Sequence, residues 1–95
     1  MPYTWKDIFK GSQEHMTGEG RQRIIFIGKL TVSIVGGRPG LYGNFFDTFE
    51  VAILDTMRDF VTKEVLPEYK DDVIPYATTE EVVNILNKLE EKYGK

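Results

Sequence analysis

Ninety-five residues is the size of one small domain, and a chain of that length buries only roughly 60–65% of the surface its unfolded form exposes. Hydrophobic residues make up 41% of it and charged ones 28%, enough apolar mass to fold and against global disorder, while the lack of cysteine excludes disulfides, thiolate metal sites and a cysteine nucleophile. The net charge of -3 is uneven: residues 1–43 hold six Lys/Arg against three Asp/Glu and residues 44–95 hold six against twelve, a dipolar surface too dilute for a nucleic-acid clamp or a DNA mimic.

Thr4 followed by Asp7, with Trp5, Ile8 and Phe9 interleaved, predicts a short capped N-terminal helix ended by Gly11. Residues 11–20, GSQEHMTGEG, hold three glycines and almost nothing apolar, and read as a flexible loop; residues 1–22 together make an N-terminal helix and loop. From Arg23 the chain turns β-branched. IIFI, then Gly28-Lys29, then LTVSIV reads as a hairpin on a type II′ turn, with Leu30, Val32 and Ile34 on one face. The stretch GGRPGLYGN, residues 36–44, leads to FEVAIL, in which Phe49, Val51 and Ile53 alternate. Asp55–Asp59 would then turn the chain into a fourth strand over Phe60–Leu66, so that antiparallel strands fill 23–66. A single helix over 48–66 competes with this reading, since Phe49, Ala52, Ile53, Met57, Phe60 and Val61 also recur at helical spacing. Thr78 and Glu81 form a capping box, after which Val82, Ile85, Leu86, Leu89 and Tyr93 mark one face of an amphipathic helix over 78–93. The expected fold is a single α+β domain over 1–95: a three- to four-stranded antiparallel sheet, the C-terminal amphipathic helix packed on one face, and the short N-terminal helix.

The glycine-rich stretch is the first place to look for chemistry. A Walker A loop needs Lys-Ser or Lys-Thr after its last glycine, and Asn44 follows Gly43 here; a dinucleotide fingerprint needs a helix after its glycines, and aromatic residues and a strand follow these. A G-x-x-G clamp for single-stranded RNA would join two helices with basic flanks, which are missing. The simplest reading is an inter-strand connection. The sharper one is a binding loop, with Arg38, Tyr42 and Asn44 as contacts and Phe45 and Phe46 as anchors where exposed. His15 stands alone in a loop, Asp71-Asp72 near Glu68 match no calcium-loop spacing, Ser12 and Ser33 lack a nucleophile-elbow context, and Asp47, Glu50 and Asp55 would serve a hydrolase only by converging in space. No catalytic residue, metal site or cofactor is expected.

The succession of a strand ending in SIVGG, a glycine-bearing connection reaching LYG, then FEVAILD, then DDVIPYATTEEVVNIL resembles a set of small phage-encoded accessory proteins of uncharacterised function, over about residues 30–90. The resemblance implies an accessory protein made inside an infected bacterium and transfers no catalytic residue. Pro75 stands where that pattern has a glycine, and residues 1–22 have no counterpart in it. The expected function is a non-enzymatic protein-binding module acting on a host protein. The alternative is a small-ligand or nucleotide binder using the amides of the 36–44 loop. Apolar runs such as Val51–Leu54 are far shorter than the roughly 20 residues of a membrane span, and MPYTWKDIFK carries charges where a signal peptide is apolar. The expectation is therefore cytoplasmic, with no membrane partner, nucleic acid disfavoured, and a homodimer through an edge strand as the form self-association would take.

Overall fold

A computed structural model describes residues 3–14, 20–37 and 43–94. The elements run α1 (Trp5–Phe9), β1 (Gln13–Glu14), β2 (Arg21–Ile27), β3 (Leu30–Gly36), β4 (Thr48–Leu54), α2 (Thr62–Val65), β5 (Val73–Thr78) and α3 (Thr79–Tyr93). Four strands of six or seven residues and the two-residue β1 form one antiparallel sheet in the order β1-β2-β3-β4-β5, each strand beside its neighbours in sequence. α3 packs on one face and α1 lies beside it, the expected α+β architecture.

Alternation decides which side chains meet the helix. Register pairs Ile25 with Val32 and Val32 with Ile53, Ile34 with Val51, and Val51 with Ile74, so that these residues share one face. All are buried and join Val82, Ile85, Leu86 and Leu89 of α3 in one cluster, each such side chain stabilising the fold by about 1.5–3 kcal/mol. The α3 start shows one half of the expected capping box: the Glu81 N–H donates to Thr78 Oγ1 at 3.1 Å, while the Glu81 carboxylate accepts from the Tyr69 hydroxyl. The β2–β3 turn has positive φ at Gly28 (59°) and not at Lys29, as a type II′ turn requires. A side chain at Gly28 would collide with the carbonyl of Tyr93, so this glycine also seats the end of α3. Asn87 of α3 holds the N-terminal segment: its Oδ1 accepts from the Tyr3 N–H at 2.5 Å and its Nδ2 donates to the Tyr3 carbonyl at 3.2 Å.

Two sequence expectations need correction. Residues 11–20 are not wholly loop, because Gln13 and Glu14 pair with Gln22 and Arg21. Phe60–Leu66 is not a strand. After the Asp55–Asp59 turn the chain pairs with β4 through a single Leu54–Phe60 bridge and a bond from the Val61 N–H to the Ile53 carbonyl at 2.8 Å, then makes the single helical turn α2. The fourth long strand is instead Val73–Thr78, and neither a helix nor two strands fills 48–66. The reason lies in Pro75 and Thr62. A proline argues against a central strand but is tolerated at an edge or bulge. β5 is the edge strand, and between the Phe49–Ala77 and Val51–Ile74 pairs it carries a bulge, in which Tyr76 takes a φ of 54°.

Thr62 is the one buried polar side chain among the described residues. Its Oγ1 accepts the Ile53 N–H at 2.9 Å and donates to the Asp72 carbonyl at 2.7 Å, tying α2 to both β4 and the entry to β5. Thr62→Val keeps the shape and strands both backbone groups. It should lower unfolding free energy by about 1–3 kcal/mol, measured by urea denaturation; a change below a few tenths would mean that water replaces the hydroxyl.

Candidate functional site

Of the five residues singled out around the glycine-rich stretch, Arg38 and Tyr42 lie outside the described residues. The other three have distinct fates. Asn44 Oδ1 accepts from the amides of Phe46, Asp47 and Thr48 at 2.7, 3.0 and 3.2 Å, and its Nδ2 donates to Asp47 Oδ1 at 2.8 Å, so its side chain is the internal brace of the turn. Phe45, at a φ of 57°, is buried and makes edge-on contacts with Phe9 and Phe49 at centroid distances of 5.9 and 5.2 Å. It is therefore a core residue and not an exposed anchor. Phe46 is the exposed aromatic of the pair, at 77%. Gly43 lacks the Cβ that would strike the Phe49 backbone, which lets the turn close against β4.

The same geometry bears on anion binding. The Gly37 N–H donates to the Gly43 carbonyl, and those of Asn44 and Phe45 to the Thr48 carbonyl, while the next three amides point at Asn44 Oδ1. Six amides flanking the glycine stretch are thus already spent, and a phosphate would have to displace these bonds. The three carboxylates that a hydrolase would need do not converge. Asp47 precedes β4 and Asp55 follows it, a separation of about 24 Å along a seven-residue strand. Asp55 Oδ1 accepts from the amides of Met57 and Asp59, bracing its own turn. Among the described residues no three His, Asp or Glu side chains are grouped to hold a metal ion, and no helix is long and apolar enough to cross a membrane.

What the sheet does present is a second face that no described element covers. Register sorts its side chains into three rows across the strands. Phe26, Thr31 and Leu54 form the first, extended by Phe60 through its bridge to Leu54. Ile24, Ser33, Ala52 and Val73 form the second, and Gln22, Val35 and Glu50 the third. Phe26 is 74% exposed and Phe60 49%. Beyond the first row lie the Gly28-Lys29 turn and the 55–58 turn, which wall a groove of about 760 Å³ floored by Ile24, Thr31, Ser33 and Val35. Lys29 and Arg58 stand on that wall, and Met57, next to Arg58 in the same turn, is 78% exposed.

Sequence reasoning placed the contacts at residues 38–46 and missed this face. A signal was available in RQRIIFI and VAIL, where the apolar residues do not alternate: Ile24, Phe26, Ala52 and Leu54 sit between inward-facing partners. An antiparallel sheet with one solvated face shows clean alternation. Apolar residues in the outward phase are what a second covered face requires.

A smaller recess lies between α3 and the segment after α2, lined in part by Tyr69, Glu81 and Lys88. The Tyr69 hydroxyl donates to Glu81 Oε2 at 2.7 Å, and burial together with that carboxylate pushes the phenol pKa up to about 12. Lys88 Nζ meets Glu68 Oε2 at 2.6 Å, and that hydrogen bond holds the Glu68 carboxyl below its ordinary range. Every polar group named here has a partner, so the recess reads as packing that docks the segment onto α3. No protein-family model matches the chain, and neither a curated protein nor a solved structure does.

Two outcomes follow for these residues. Asn44→Ala removes three accepted bonds from one turn and should cost about 1–3 kcal/mol of stability; an unchanged melting temperature would return Asn44 to the role of a free contact residue. Tyr69 keeps its proton in the folded state up to about pH 12, whereas the unfolded chain releases it near 10.0. Its contribution is full below pH 10 and is lost as pH rises towards 12. Chemical denaturation across that interval should therefore show a shallower loss of stability in Tyr69→Phe than in the parent, and equal slopes would remove this role.

Proposed function

We propose that the protein is a non-enzymatic protein-binding module whose docking surface is the open face of its sheet. The observation that carries this reading is the row Phe26, Leu54 and Phe60, apolar and outward-facing, with Met57, Lys29 and Arg58 around it. Aromatic residues, methionine and arginine are the side chains that interface cores concentrate, and aromatic and arginine anchors carry most hot-spot energy. Contiguous apolar surface on a small domain marks an interaction site more often than chance. The resemblance to phage-encoded accessory proteins supports a partner within a host cell's cytoplasm, a class that includes host proteins and other copies of the chain. The ligand-binding alternative draws less support, because among the described amides of the 36–44 loop those of Gly37 and Asn44 already donate to backbone carbonyls.

A photoreactive residue separates the two candidate surfaces. p-Benzoylphenylalanine replaces Phe26 in one variant and Phe46 in another, both positions being about three-quarters exposed, and the variants are irradiated in cells that express the protein. A covalent protein adduct from position 26 and none from position 46 is the expected result. An adduct from position 46 alone would move the site to the glycine-rich end, and no adduct from either would contradict a protein-binding role.

A further inference from the structure

We infer that the occupant of the open face is a second copy of this chain, the two sheets packing face to face about a two-fold axis that lies between them and runs across the strands. The inference rests on the reading of this face as a docking surface. Three features of the face carry it.

The first is area. Phe26 and Phe60 are 74% and 49% exposed, and with aromatic side chains of roughly 200 Å² they present on the order of 250 Å² between them. That is close to a third of the roughly 800 Å² per partner in a standard interface, before Met57, Ile24, Leu54 and the stems of Lys29 and Arg58 are added. The second is relief. The first row is tall at Phe26 and Phe60, the middle row is low at Ser33 and Ala52, and the third contains the sunken Val35. Rotation about an axis across the strands swaps the ends of the face, so each copy's first row descends on the other's third row around the sunken Val35, while Ser33 and Ala52 at the centre leave room for sheets about 10 Å apart.

Charge selects the same arrangement. Arg58 stands beyond the β4 end that carries Leu54, and Glu50 lies on β4 in the third row. The end-swapping rotation keeps β4 over β4 and brings Arg58 of each copy towards Glu50 of the other. Rotation about an axis along the strands would instead lay Lys29 of one copy over Arg58 of the other, two like charges at an apolar interface. Pairing through the sheet edges has less to work with. β1 is two residues long, and β5 carries Pro75 and a bulge, the devices by which edge strands are blunted.

The test is sedimentation equilibrium of the purified full chain from low to high micromolar concentration, with circular dichroism to confirm that each variant is folded. The parent should pass from 10.9 kDa to twice that mass. Phe26→Asp, at an exposed position, should weaken the dimer roughly 30-fold or more. Arg58→Glu and Glu50→Arg should each weaken it roughly two- to five-fold, and the double variant should regain the parent's affinity. A parent that stays monomeric, a dimer indifferent to Phe26→Asp, or a double variant weaker than both single ones would overturn the inference. A monomeric parent whose photoreactive position 26 still captures a foreign protein would remove the second copy and leave the docking face standing. A position 26 that captures nothing would remove both.

Discussion

The apolar stripe of α3, Val82, Ile85, Leu86 and Leu89, buries one face of the sheet in a single cluster with Val32, Ile34, Val51 and Ile53. One helix covers one face, and this limit organises the rest of the molecule. Around the helix the chain adds small fasteners: Asn87 clamping Tyr3, Gly28 receiving the carbonyl end of α3, and Thr62 joining α2 to two strands. All of them serve the covered side. The opposite side has apolar residues in the outward phase of β2 and β4 and no described element upon it.

How much of this was legible in the sequence depends on whether the deciding interaction was local. The hairpin was legible because Gly28-Lys29 specifies its own turn, and α3 because Thr78 caps the Glu81 amide within one turn. The fate of residues 60–78 was not. Thr62 lies in a β-branched cluster that favours a strand locally, whereas its bonds to Ile53 and Asp72, nine and ten residues away, help to hold the segment as a helical turn. Pro75 disguised a strand because its missing N–H is harmless only at an edge with a bulge, which the local sequence does not reveal.

The glycine-rich stretch drew attention for its composition, yet its described neighbours do structural work. Asn44 braces a turn, Phe45 fills the core beside Phe9 and Phe49, and the surrounding amides bond within the loop. The candidate site that register exposes was quieter, since Ile24, Phe26 and Leu54 look like ordinary strand residues until pairing assigns them to the outer face. Their meaning is positional. A sheet residue's face is fixed by the strand beside it, and a one-residue slip would reverse it.

The central claim is that the outer face of the sheet is a surface made to be covered. The most direct measurement is hydroxyl-radical footprinting of the purified protein over a range of concentrations, with oxidation read residue by residue. Phe26, Met57 and Phe60 should be reactive in dilute solution and become protected together as concentration rises, while Phe46 and Trp5, also exposed, keep constant reactivity. Constant reactivity at Phe26 and Phe60 throughout would contradict a second copy as the cover, and protection appearing first at Phe46 would contradict the choice of this face.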